Sequence, residues 1–297
     1  MSDRGQTLLT GVTRVGARAL FRVPTDLPLP WPIKRRWTEL AAAANRVPGG
    51  LRRGEVELVG VPVERLEPQS GSSGAILYLH GGGYVQGSPR VQRVAAARLA
   101  LGAGAVSCAP DYRLAPEHPF PAAFEDCLAV YRALAERGTT IVIAGDSAGA
   151  GLALAVALAA KDRGIPPAGV FLICPWLDLT ADRSSGPDRD PILSRRFLVN
   201  GLHGYLAGRD AADPRCSPLL GDLAGLPPLL VHTAEEDPLR PDSEALAERA
   251  SAAGVDVELE RFALWHDFHM HAGVLDVADQ ALERGAAFVR ERLTRSS

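Results

Sequence analysis

Gly145-Asp146-Ser147-Ala148-Gly149 stands one residue after the apolar, β-branched run Thr139-Thr140-Ile141-Val142-Ile143 and shortly before an Ala/Leu-rich stretch at residues 152–160. Strand, tight turn and helix in that order make Gly-X-Ser-X-Gly a nucleophile elbow, in which the serine rides a sharp bend and its Oγ projects above a sheet. Without that context the five-residue match recurs by chance and carries little. The bend leaves no room for side chains, so Gly145 and Gly149 are read as positions where a Cβ would meet the facing strand or helix. Ser147 is the candidate nucleophile. Asp146 diverges from the serine across the elbow and is expected to bond backbone groups beneath the turn, not to serve as the catalytic acid.

A nucleophilic serine needs oxyanion donors, a base and an acid. Ala75-Ile76-Leu77-Tyr78-Leu79 reads as a strand that empties into His80-Gly81-Gly82-Gly83-Tyr84. Glycines at a strand end leave backbone N–H groups bare, and such fixed dipoles stabilise the anion of a tetrahedral intermediate without reorienting. Gly82 and Gly83, with the N–H of Ala148 at the start of the next helix, are the candidate donors. A phosphate loop, the rival reading of a glycine run, calls for Lys-Ser/Thr after the last glycine, where this chain has Tyr84-Val85. His80 is expected to anchor the loop by hydrogen bonding.

Acid and base follow the nucleophile in chain order. Pro228-Leu229-Leu230-Val231 reads as a short strand running out through Thr233-Ala234 into Glu235-Glu236-Asp237-Pro238. A helix over residues 243–252 ends at Gly254, and residues 255–262 form a second strand leading to Leu264-Trp265-His266. A right-handed crossover lays these strands side by side in parallel, which brings the carboxylates at the first strand end next to His266. Asp237 is favoured over Glu235 and Glu236 because the proline after it biases it toward extended geometry. Asp242 reads as the N-cap of the intervening helix. His266 is favoured as base over His269 and His271, which fall in the helical segment beyond it. A neutral imidazole base implies a rate that falls as pH drops through roughly 6 to 7. His118, His203 and His232 have no acid and nucleophile partners in sequence context, and solvated or core roles suffice for them.

These motifs, joined by Asp111-Tyr112-Arg113-Leu114-Ala115-Pro116-Glu117-His118-Pro119-Phe120-Pro121-Ala122-Ala123, resemble the hormone-sensitive-lipase-like esterases of the α/β-hydrolase superfamily over residues 56–293. The stretch at residues 217–228 is similar to the bacterial branch that holds small carboxylesterases and monoterpene lactone hydrolases. The resemblance implies an α/β fold with a mainly parallel central sheet and a helical cap. It also implies a Ser147-His266-Asp237 triad, oxyanion donors at Gly82, Gly83 and Ala148, and hydrolysis of short-to-medium acyl esters through an acyl-enzyme. The same triad serves lactone hydrolysis or deacetylation, and some plant relatives that have lost the histidine are ligand receptors; here His266 and its acid are present. Acyl transfer of this kind calls for no metal and no organic cofactor. Relatives are often dimers, so a homodimer through residues 255–262 and the C-terminal helix is expected. Two departures stand out: Ala150 replaces a second glycine after the elbow, and Asp267 follows the base where glycine is commoner, which makes the rim near His266 more acidic.

Composition bounds the rest. A chain of 297 residues, 46% hydrophobic, with repeated strand–helix alternation, fits one large α/β domain. A net charge of −3 argues against a nucleic-acid partner. Cys108, Cys127, Cys174 and Cys216 lack the close pairing of metal or redox motifs and are read as reduced core thiols. No run approaches a membrane span and no signal peptide is visible, so cytoplasmic residence is the expectation. The three prolines of the Asp111 motif suggest a rigid structural loop.

Two segments break the alternation: residues 1–50 and residues 179–216, leaving 51–297 as the catalytic domain into which the second segment is inserted. The first carries Leu8, Val12, Val15 and Ala19 at helical spacing, Arg14, Arg18 and Arg22 on another face, and a second helical piece at residues 37–45. The second carries a helix over residues 194–206. Both are expected to pack as a cap over the serine, excluding water and selecting the acyl or alcohol group. The three arginines need no partner on a cap exterior; the rival reading is a weak association of this helix with an anionic membrane surface.

Overall fold

Ile76, Leu77, Val142, Ile143, Val170, Phe171, Leu172, Leu230 and Val231 are wholly excluded from solvent. Strand runs that are apolar without alternation have both faces covered, which is the signature of a parallel sheet between two helical layers. The computed structural model, which describes residues 3–43, 46–182 and 188–295, has that architecture. Its strands are β1 Leu51–Leu58, β2 Val61–Pro68, β3 Ala75–Leu79, β4 Val106–Pro110, β5 Ile141–Asp146, β6 Gly169–Ile173, β7 Leu229–Ala234 and β8 Val257–Phe262. They form one eight-stranded sheet in the order β1-β2-β4-β3-β5-β6-β7-β8. β1 and β2 pair antiparallel, as do β2 and β4, and every other neighbour is parallel.

Successive side chains of a strand point to opposite faces, and the two cores divide accordingly. Leu77, Leu79, Ile143, Val170 and Leu172 pack on the face that holds α5 Ala122–Ala135, α6 Ser147–Lys161 and α8 Arg240–Ala252. Ile76, Tyr78, Val142, Phe171 and Ile173 pack on the face that holds α4 Arg93–Ala103 and α9 Asp276–Arg295. All four cysteines are free and buried. No helix among the described residues is long and apolar enough to cross a membrane.

The segments outside this layering are helical. α1 Asp3–Ala17 continues through a wider π turn, Arg18–Arg22, into α2 Val23–Asp26, and α3 Trp31–Ala42 follows; the expected helical piece at 37–45 therefore starts earlier, and its last two residues lie outside the described ones. α7 Arg195–Leu206 starts where expected, with the hydroxyl of Ser194 accepting from Phe197 N at 2.9 Å.

The N-terminal helix is turned opposite to the expectation for its arginines. Leu8, Val12 and Val15 are 73%, 69% and 70% exposed, whereas Arg14 pairs with Glu236 and lies over the Trp265 ring. Arg22 is buried, bonded to Asp188 and to the carbonyl of Asp190. Guanidinium groups with carboxylates and carbonyls to meet hold the helix to the domain more specifically than its few aliphatic side chains do.

A second correction concerns Asp242. The helix starts at Arg240, with Pro241 in its first turn, so Asp242 lies inside it; its Oδ2 accepts from Leu177 N and Asp178 N at 2.8 and 3.1 Å. The carboxylate ties α8 to the loop after β6 instead of capping its own helix.

Candidate active site

β5 runs into α6 without a linker, and Ser147 takes the bend at φ +52°. A residue with a Cβ held in the left-handed region costs of order 1–3 kcal/mol and persists where the surroundings impose it. Here they do. A Cβ on Gly149 would lie 2.1 Å from Leu79 O and 2.4 Å from His80 O, and one on Gly145 2.6 Å from Gly149 O. The helix start is thus pressed against the end of β3, and Ser147 is lifted to the floor of a pocket.

The candidate base and acid come from the ends of the last two strands. β7 and β8 pair in parallel through Ala234↔Phe262, so the loops beyond them emerge together. His266 Nε2 lies 2.9 Å from Ser147 Oγ, and His266 Nδ1 lies 3.0 Å from Asp237 Oδ2. Serine and histidine are 119 residues apart in the chain. Asp237 is buried, and its other oxygen accepts from Leu239 N at 2.8 Å, which fixes the turn. Of the competing carboxylates, Glu235 is exposed to solvent and Glu236 bonds Arg14 at the surface. His269 lies at 3.1 Å from His232 in a buried imidazole pair, both held neutral by burial, with His232 pushed down to about 3. His271 is likewise pushed down to about 4 by burial.

The glycine loop is built as a cradle. Tyr112 stacks on His80 at 4.1 Å and donates to His80 O at 2.7 Å. His80 Nδ1 meets Gly81 O at 2.9 Å, and since a carbonyl only accepts, Nδ1 carries the proton. Burial pushes this imidazole down to about 4, so it anchors the loop in its neutral form. Asp146 supports both halves of the site: its carboxyl accepts from Tyr78 Oη, Gly81 N and Gln92 Nε2 at 2.9, 2.9 and 2.6 Å. Gly82 and Gly83 sit at φ +120° and +62°. Among the described residues, the N–H groups of Gly82, Gly83 and Ala148 are not spent on any backbone turn or side-chain bond. Gly82 lines the pocket, while Gly83 lies behind it against Phe197. The Asp111 motif is a structural brace: Arg113 forks onto Asp126, and Arg35 of α3 grips Glu117 together with the carbonyls of Val85 and Ala115.

Over Ser147 the pocket is walled by Phe21, Thr25 and Thr38 from the N-terminal helices and by Ile192, Leu193 and Phe197 from the second segment; it encloses about 540 Å³ of empty space, its open mouth included. Trp31 meets Phe197 edge-on at 6.1 Å, and Ser194 bonds Asp26, so the two segments touch.

Two residues bear on the base in ways the sequence reading missed. Asp190 is 1% exposed; its Oδ2 accepts from the backbone N–H of His266 at 2.6 Å, and its Oδ1 from Ile192 N and Leu193 N at 2.8 Å each. Burial pushes its carboxyl up to about 6. Asp190-Pro191 followed by Ser194 signals a turn before a helix, but nothing local announces a partner 76 residues away. Asp267, expected on the rim, is 6% exposed, and its Oδ2 stands 3.3 Å from His266 Nε2. Burial lowers the His266 pKa, but Asp237 at one nitrogen and Asp267 at the other outweigh it and hold the imidazole well above its usual range. Burial likewise holds the Asp267 carboxyl above its usual range, against the pull of His266. The Cys174 thiol beneath them is raised by burial and stays protonated.

The chain matches a family model described as the alpha/beta hydrolase fold over residues 76–270. It is 42% identical to the putative acetyl-hydrolase LipR of Mycobacterium tuberculosis, the match covering 86% of this chain and 85% of that protein. It is 37% identical to an esterase of Acinetobacter venetianus, covering 78% and 80%. The crystal structure of an esterase from the bacterial hormone-sensitive lipase family superposes with a TM-score of 0.88 at 34% identity, covering 99% of each chain. A sheet of this order, an elbow at its centre and likenesses of this extent leave one assignment: the chain belongs to the α/β-hydrolase superfamily, within the bacterial hormone-sensitive-lipase family of carboxylic ester hydrolases.

Proposed function

We propose that the protein is a serine carboxylesterase for short-to-medium acyl esters, with Ser147 as nucleophile, His266 as base and then acid, Asp237 as its orienting carboxylate, and Gly82, Gly83 and Ala148 as oxyanion donors. The observation that carries the reading is the chain of contacts at the pocket floor, Ser147 Oγ to His266 Nε2 at 2.9 Å and His266 Nδ1 to Asp237 at 3.0 Å. In acylation, Oγ bonds to the ester carbonyl carbon as His266 Nε2 takes its proton. The carbonyl oxygen becomes an anion facing the free N–H groups, and collapse breaks the bond to the alcohol, which leaves with the proton from Nε2. Water then attacks the acyl-enzyme by the same route and releases the acid.

Residues 1–50 and 179–216 act as the cap in this reading, since Phe21, Ile192, Leu193 and Phe197 supply an apolar ceiling. A compact ceiling favours short acyl groups, and the likeness to LipR, a putative acetyl-hydrolase, points the same way.

A series of p-nitrophenyl esters from acetate to dodecanoate tests the substrate range, with a falling kcat/KM beyond the medium chain lengths expected. A fluorophosphonate probe is expected to label Ser147, and Ser147→Ala to abolish both labelling and turnover while the chain stays folded. Labelling at another residue, or full turnover by the alanine variant, overturns the assignment.

A further inference from the structure

Acyl transfer as described makes no use of Asp267, yet the chain places it at some cost. It sits at φ +51°, a backbone region where glycine is at ease and a side chain is strained. Its Oδ2 stands 3.3 Å from His266 Nε2, and its Oδ1 is buried with no hydrogen-bond partner. The residue lines the pocket beside Ser147, Gly82 and Met270, and the residues lining that pocket include no arginine and no lysine. The other polar side chains of the lining outside the triad, Thr25, Thr38, Gln86 and Gln92, are neutral. The substrate chamber therefore carries one carboxyl group whose basic neighbour on the chamber wall is the His266 imidazole alone, leaving Oδ1 without a partner.

Its position relative to the reacting atoms follows from the mechanism. Nε2 must come within hydrogen-bond reach of the leaving oxygen to protonate it. Oδ2 of Asp267 flanks the same nitrogen, so the first atoms of the departing alcohol pass beside the carboxyl. The acyl group is attached to the carbon under attack by Ser147 and not to the oxygen that Nε2 protonates.

Resting on the esterase reading, we propose that Asp267 is the alcohol-side specificity determinant: its carboxylate receives an ammonium or hydroxyl borne two carbons from the ester oxygen, so that the favoured substrates are short-chain acyl esters of amino alcohols or polyols. A charge-assisted bond inside a mostly apolar pocket is stronger than a neutral one, and the unpartnered oxygen gains a donor it lacks in the free protein. Burial holds the Asp267 carboxyl above its usual range, and an arriving ammonium favours its ionised form. An ester whose alcohol carries a carboxylate is repelled by the same group. The hydroxyl and the ammonium share one chemistry, a donor on the alcohol side, and substrate pairs separate them.

The experiment compares kcat/KM within matched pairs, measured by proton release near neutral pH on the full chain. 2-(Dimethylamino)ethyl acetate, protonated under these conditions, is set against its uncharged isostere 3-methylbutyl acetate, and 2-hydroxyethyl acetate against 2-methoxyethyl acetate. The wild type is expected to prefer the first member of each pair, by about tenfold for the cation and about threefold for the hydroxyl. Asp267→Asn keeps an acceptor without a charge, so the cationic preference falls and the hydroxyl preference survives. Asp267→Gly relieves the positive φ, folds readily, and loses both. Because each ratio is taken within one variant, a general loss of base alignment cancels. Ratios that are the same in all three proteins overturn the proposal. Wild-type hydrolysis of p-nitrophenyl acetate, run alongside, leaves the esterase reading standing in that case; no hydrolysis of it overturns both.

Discussion

Asp190→Asn separates the positioning of the base from the stability of the fold. The wild-type carboxylate holds three backbone N–H groups, one on His266 at 2.6 Å and two at 2.8 Å on its own segment. Asparagine is nearly isosteric and keeps one acceptor oxygen, enough for Ile192 and Leu193, but it turns an NH₂ toward the N–H of His266. One hydrogen bond to a charged group is lost and a donor faces a donor, a cost of about 1.5–3 kcal/mol. Against this, burial raises the Asp190 carboxyl from 3.8 to about 6. Above that pH the carboxyl is ionised in the folded and unfolded states alike, and burying it costs the folded state a net penalty of about 3 kcal/mol relative to the unfolded chain that asparagine does not carry. The two terms nearly cancel in global stability. They do not cancel at the active site, where the lost bond is the one that seats the imidazole. If that cost falls on the transition state, kcat drops by about 10- to 100-fold while the melting temperature barely moves. The assay is kcat and KM for p-nitrophenyl acetate beside thermal unfolding monitored by circular dichroism. A kcat within about twofold of wild type would refute the reasoning, because it would mean that His266 holds its place without Asp190.

Two further outcomes follow from the same geometry. His266 is flanked by carboxylates at both nitrogens and its pKa is raised, so the neutral base is populated only at higher pH and activity falls as pH drops through that raised value. The acid limb of kcat/KM for an uncharged ester is therefore expected above the roughly 6 to 7 of an ordinary histidine, and a limb at or below that range would contradict the two-carboxylate environment. Gly149→Ala puts a methyl group 2.1 Å and 2.4 Å from two backbone carbonyl oxygens that have no room to retreat. A loss of at least about 3 kcal/mol in denaturant unfolding is expected, and a loss under about 1 kcal/mol would show that the elbow is not packed as described.

The parts of the site that were legible in the chain are those whose geometry is local. A strand that must become a helix within one residue needs glycines at fixed offsets, and Gly145 and Gly149 with the flanking runs announce Ser147. The glycine loop after Ala75–Leu79 was equally plain, because bare N–H groups at a strand end require residues without side chains. The antiparallel pair β1 and β2 left no such mark, since the residues of both alternate weakly and β1 lies at the exposed edge of the sheet. The inward turn of Arg14 and Arg22 was illegible for a different reason: helical spacing says which residues share a face, not which face finds a partner. Asp242 misled because a helix start was judged from capping chemistry alone, whereas its carboxylate was needed by a neighbouring loop.

The sequence by itself therefore determined the fold class, the place of Ser147 on the elbow and the glycine loop at the strand end, since each rests on bonds and clashes among residues a few positions apart. Tertiary structure settled that Asp237, which the chain only favoured over its neighbours, is the one facing the imidazole, and it alone decided that Asp190 holds His266 from 76 residues away and that Asp267 lies against its Nε2. Those facts are distances between segments remote in the chain, set by how β7 and β8 align and how the N-terminal helices lean on them. A carboxylate has no local signature that distinguishes a surface charge from a catalytic one; only burial and the group opposite it do.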